Sequence, residues 1–103
     1  MGKVSGRTKS PARKEAEVRL QKAVGQRLRA VRDVLGLNQA EFGRRAKLAP
    51  NTYNMIELGE RMPSILVAIA ICDAHRLTLD FIFRGDTGDL PHGMGRAIDA
   101  MLD

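Results

Sequence analysis

Apolar residues recur at three- and four-residue steps along most of the chain, and no stretch alternates with the period of two that marks a strand. Leu20, Val24, Leu28, Val31 and Leu35 form the longest such series and predict a helix. Gly36 should end it, because glycine takes the left-handed conformation cheaply. Ser10-Pro11 offers an earlier start, with a hydroxyl at the N-cap and proline in the first turn. Gly25 falls inside the series and costs about 1 kcal/mol relative to alanine, so a kink or break is expected there. Asn38 caps a second segment, Gln39 to Ala46, with Phe42 and Ala46 four residues apart. Lys47-Leu48-Ala49 interrupts it, and Pro50 opens a third helix that runs to about Leu58 and stops at Gly59. Tyr53 and Ile56 are its apolar pair. Pro63-Ser64 begins a fourth helix through about Ala74, apolar around most of its circumference and therefore expected to be the most buried. Thr78 caps a fifth, Leu79 to Phe83, stopped near Gly85. Arg84 to Gly95 reads as a loop, and Met94, Ile98, Met101 and Leu102 predict a last amphipathic turn or two. The expected fold is all-α.

Composition narrows the chemistry. A chain of 103 residues is one small domain. The single cysteine, Cys72, excludes an intramolecular disulfide framework and multi-cysteine metal clusters, and His75 and His92 supply little else for a metal. Cys72 reads as a small hydrophobe on a buried helix, and His75 suits the negative end of that helix. No glycine-rich phosphate loop, zinc-ligand spacing or grouping of acid, base and nucleophile occurs. No catalytic, metal-binding or cofactor-binding residues are expected, and the chain does not read as an enzyme. Its longest apolar run, Ile65 to Cys72, is far short of the roughly 20 residues that span a bilayer. With no apolar segment of a secretory signal near the start, a cytoplasmic protein without a membrane partner is expected.

Charge changes the picture when it is located. Residues 1–14 hold Lys3, Arg7, Lys9, Arg13 and Lys14 and no acid, whereas residues 65–103 hold twice as many acidic as basic side chains. A basic N-terminal portion on a small soluble domain suits a polyanion, nucleic acid ahead of anionic membrane. An unstructured solubilising tail would carry the same charge, so charge alone does not decide.

The middle of the chain does. A short helix, a three-residue break and another short helix is the arrangement of a helix-turn-helix. The run Gly36-Leu37-Asn38-Gln39-Ala40-Glu41-Phe42-Gly43-Arg44-Arg45-Ala46-Lys47-Leu48-Ala49-Pro50-Asn51-Thr52-Tyr53-Asn54-Met55-Ile56-Glu57-Leu58-Gly59 resembles the lambdoid phage repressor and Cro family, also called XRE-type. Arg61-Met62-Pro63-Ser64 and Leu77-Thr78-Leu79-Asp80-Phe81-Ile82 resemble that family's starts of helices four and five. The resemblance spans residues 24–84. Two positions depart from it: Lys47 stands where the family usually has glycine, and Ala49 where it usually has a Ser or Thr cap.

The resemblance implies a five-helix repressor-like domain, placed over residues 15–84; outside it, the Gly-, Ser- and Lys/Arg-rich start reads as a flexible basic arm at 1–14, and a short C-terminal extension follows at 85–103. It implies a DNA-binding transcription regulator, expected to be a repressor, whose third helix enters the major groove of an inverted repeat. With Tyr53 and Ile56 facing the core, Pro50, Asn51, Thr52, Asn54 and Met55 are left toward solvent or DNA as candidate base contacts. Asn pairs bidentately with adenine and Thr reaches an acceptor or a thymine methyl, while Met55 reads as either exposed or packed. Candidate phosphate contacts are Gln39, at the start of helix two, with Arg44, Arg45, Lys47 and Arg61. Arg32 and Glu57 occupy positions where relatives place a buried ion pair. A homodimer is expected through Phe81, Phe83, Leu90, Met94 and Ile98, since the C-terminal segment is too short for a core of its own. The competing class is an antitoxin or anti-activator that binds a protein partner through that segment.

Overall fold

The Ser10 side chain accepts a hydrogen bond from the Arg13 amide, and Pro11 follows it as the first helical residue. In the computed structural model, which describes residues 10–91 and 93–102, α1 runs unbroken over Pro11–Leu35. Residues 11–14 of the expected arm are thus its first turn; residues 1–9 lie outside the described residues, as does His92. The expected break at Gly25 does not occur. The glycine serves another purpose: a Cβ there would lie 2.3 Å from the Glu57 carbonyl oxygen and 2.9 Å from that of Ile56. Only a residue without a side chain lets α1 touch the C-terminal end of α3 this closely.

Beyond α1 come α2 (Gln39–Arg45), α3 (Pro50–Glu57), α4 (Ile65–His75), α5 (Leu79–Arg84) and α6 (Met94–Leu102), with no strand among the described residues. Side chains cap the helices as the sequence suggests: Asn38 accepts from the Glu41 amide, Ser64 from Val67 and Thr78 from Phe81. Each such cap contributes about 1 kcal/mol. Gly36 and Gly85 close α1 and α5 in the left-handed conformation.

α1 is the spine, packing against α3, α5 and α6, while α2 packs on α3 and α4, and α4 on α5. The core draws Val24, Leu28 and Val31 from α1, Phe42 from α2, Tyr53 and Ile56 from α3, Ile71 from α4, Phe81 and Ile82 from α5 and Ile98 from α6. Arg27 reaches across to donate to the Ile82 carbonyl at 2.9 Å, tying α1 to the end of α5.

α4 has the largest share of buried residues of the six helices, yet its apolar circumference is covered on one side only: Ala68, Ile71, Cys72 and His75 face α2 and α5, but Ile65, Leu66 and Ile69 are exposed. An apolar circumference reports what a helix could bury, not whether a neighbour exists to cover it. The C-terminal segment is more than a stray turn. α6 is a sixth helix that lies on α1, and Phe81, Leu90 and Ile98 are buried in the chain's own core, with Phe83 and Met94 packed against it. These five residues, expected at a dimer interface, are consumed within one chain because α1 supplies the apolar surface the segment lacks.

Candidate nucleic-acid interface

The turn between α2 and α3 is built on a strained residue. Lys47 holds φ at 62°, which lets the Leu48 amide return to the Gly43 carbonyl at 2.9 Å and its own amide to that of Arg44 at 2.9 Å. A side chain in this conformation costs on the order of 1 kcal/mol where glycine costs nothing. Gly43 sets the spacing of the two helices, since a Cβ there would meet the Tyr53 Cβ at 2.9 Å.

Phe42 anchors the pair from below. Its ring lies between Tyr53, at a centroid distance of 5.1 Å, and His75, stacked at 3.7 Å. The His75 Nε2–H donates to the Phe42 carbonyl at 2.9 Å, an acceptor near the end of α2. His75, the last residue of α4, is therefore also a buried strut from α4 to the end of α2. Burial pushes its imidazole below the ordinary value, against the smaller upward pull of that carbonyl.

A second anchor joins three helices at Glu57. Arg32 forks onto it, Nε to Oε2 at 2.9 Å and one terminal nitrogen to Oε1 at 2.8 Å. The Tyr53 hydroxyl donates to Oε2 at 2.6 Å and the Gln39 amide to Oε1 at 3.0 Å. Burial alone would raise the Glu57 carboxyl, but the bonds from Arg32, Tyr53 and Gln39 outweigh it and hold the group below its ordinary value. Sequence reading named the ion pair and missed two of its four hydrogen-bond donations. Tyr53 and Glu57, four residues apart on α3, were the available signal. Gln39, expected to face a phosphate, is half-buried and spends one amide hydrogen on Glu57; its second remains.

These anchors fix which face of α3 looks outward. Tyr53 and Ile56 are buried, Pro50 and Asn51 are exposed, and Thr52, Asn54 and Met55 are half-exposed. Ala49 gives α3 no side-chain cap, so the first amides of the helix have no side-chain acceptor. Around this face Lys47 and Arg61 are exposed. Arg44 and Arg45 are exposed too, but both are bound to Glu41, one turn back on α2, Arg45 at 3.0 Å. Sequence reading names the two arginines as phosphate contacts and misses that pairing, which residues three and four apart on a helix make available. The bonds to Arg45 and Arg44 hold the Glu41 carboxyl below its ordinary value.

Burial and the neighbouring Asp73 push the Cys72 thiol up to about 11, and no group of metal-ligating side chains occurs among the described residues. No helix among them is long and apolar enough to cross a membrane.

The helix-turn-helix family pattern matches residues 28–82, the stretch from the middle of α1 to α5 that contains both anchors and the exposed face of α3. No curated protein and no solved structure matches the chain.

Proposed function

The chain belongs to the XRE-type helix-turn-helix family and is a DNA-binding transcription regulator of that kind; from this premise we propose that it represses by laying α3 in the major groove of an inverted repeat. The observation that carries the reading is the division of α3. One side is committed to the core through Tyr53 and Ile56, while Asn51, Thr52 and Asn54 present amide and hydroxyl groups on the other. Those are the groups that read base edges. Pro50 and Met55 flank them and offer apolar contact to a thymine methyl.

Lys47, Arg61, Arg44, Arg45 and the free amide hydrogen of Gln39 fix the register by contacting phosphates. Arg44 and Arg45 exchange Glu41 for phosphate as they dock. A domain with so few base contacts gains affinity by binding as two copies on two half-sites about 34 Å apart. Repression follows from occlusion, and the protein acts in the compartment that holds the DNA. Binding to a protein partner through the C-terminal segment would have Met101 and Leu102 to offer, since Leu90 and Ile98 are already buried within the chain.

The test is a footprint and a titration on the DNA upstream of the protein's own gene. Asn51→Ala should weaken binding to the protected site by about 1–3 kcal/mol while leaving the circular dichroism spectrum unchanged. Unchanged affinity removes Asn51 from the reading face.

A further inference from the structure

The exposed side of α4 has no work in the reading above. Leu66 is 79% exposed, Ile65 62% and Ile69 40%, on a helix whose other side is in the core. Positions 65 and 69, and 66 and 69, are neighbours on a helix surface, so the three form one stripe. From Met62 to Cys72 there is no charged residue. Such a surface does not suit a phosphate backbone, which calls for lysine and arginine. Contiguous apolar patches of a few hundred Å² on a small domain mark a site where another protein docks.

We propose that this stripe is where a second copy of the chain docks, with the two α4 helices antiparallel about a two-fold axis close to Val67. This rests on the two-copy reading given above and adds the surface that joins the copies. The choice of a second copy comes from the charges at the ends of the stripe. Exposed Glu60 and Arg61 precede it, and exposed Asp73 and Arg76 follow it. An antiparallel pair that sets Ile65 opposite Ile69 brings Asp73 toward Arg61 of the second copy and Arg76 toward Glu60. Unlike charges meet at both rims while the apolar centres face each other, which is what an isologous interface requires. Arg61 carries five donors, enough to meet both a carboxylate and a phosphate. The segment that could have competed, α6, packs Ile98 and Met94 toward the core and leaves, of its large apolar side chains, only Met101 and Leu102 exposed at its end, each less so than Leu66 or Ile65.

The interface is small. Two patches of this size bury less than the roughly 1,200 Å² below which complexes are transient, so the copies associate weakly alone and firmly on DNA.

Sedimentation equilibrium on the full chain, with and without a DNA duplex carrying the footprinted site, tests this through two variants. Leu66→Glu should keep the native circular dichroism and thermal midpoint, since the side chain is mostly in water. Its self-association should weaken at least tenfold, and the second copy should lose its cooperativity on DNA. Leu66→Cys should form an oxidised dimer at least tenfold faster than Met101→Cys, an exposed control on α6; the native Cys72 is buried. Equal cross-linking rates, or a Leu66→Glu protein that pairs like the parent, overturn the α4 surface while leaving a two-copy regulator standing. A parent that stays monomeric and puts a single copy on its site overturns both.

Discussion

His75 shows how one side chain can serve the interface without touching DNA. It carries the stack on Phe42 and satisfies that residue's carbonyl, so α4 holds α2 in place. Its burial favours the neutral ring, and its folded value lies below its unfolded one. The unfolded chain therefore binds the proton first as pH falls, and stability drops from about pH 6.5 downward. The urea midpoint of the parent should fall between pH 7.5 and 5.5, and that of His75→Phe should change less over the same range. Glu57 works the other way in composition but with the same sign. Its carboxyl is held ionised, so its contribution is complete above about pH 4.5 and is lost on further acidification. Arg32→Met leaves Glu57 buried with two of its four bonds and should cost about 3 kcal/mol. Replacing both by apolar residues of similar volume should recover much of that in chemical denaturation. The pair was legible from family resemblance and the Tyr53–Glu57 bond from their spacing of four on α3, whereas the roles of Gln39 and His75 depend on distances between helices that no local pattern carries.

Helices and caps were the most legible level. Ser10, Asn38, Ser64 and Thr78 each do locally what their residue type favours, and local chemistry is what a sequence displays directly. The departures at Lys47 and Ala49 were legible too, as a strained turn and an uncapped helix. Gly25 was misread because its helix cost is local and its reason is not. Gly25→Ala should gain about 1 kcal/mol in helix propensity, yet its Cβ strikes backbone of α3 that has no rotamer to change. Overpacking of this kind costs about 1–3 kcal/mol. A net loss of stability, with α3 displaced and DNA affinity reduced, is the expected result; a higher thermal midpoint would show that α1 and α3 are not in this contact. The exposed side of α4 and the docking of α6 were not legible for a related reason. Periodicity identifies an apolar face but not its neighbour, and here α6 found α1 while one side of α4 found none among the described residues.

At the scale of the whole molecule, basic charge gathers toward the N-terminus and acidic charge toward the C-terminus. If residues 1–9 add phosphate contacts, removing them takes away Lys3, Arg7 and Lys9. The slope of log affinity against log salt should then become shallower by up to roughly 2.7, at about 0.9 per contact. An unchanged slope means that these residues do not touch DNA.

The 25 residues of α1 also set the outline of the molecule. At 1.5 Å per residue the helix is about 37 Å long, and the described chain measures 53 × 28 × 19 Å along its principal axes. A body nearly three times as long as it is thin diffuses more slowly than a sphere of equal mass. A single copy should therefore elute slightly early from a sizing column and pass for something a little heavier, though well short of a pair. Light scattering, which weighs particles without regard to their outline, should return 11.3 kDa for one copy at dilution.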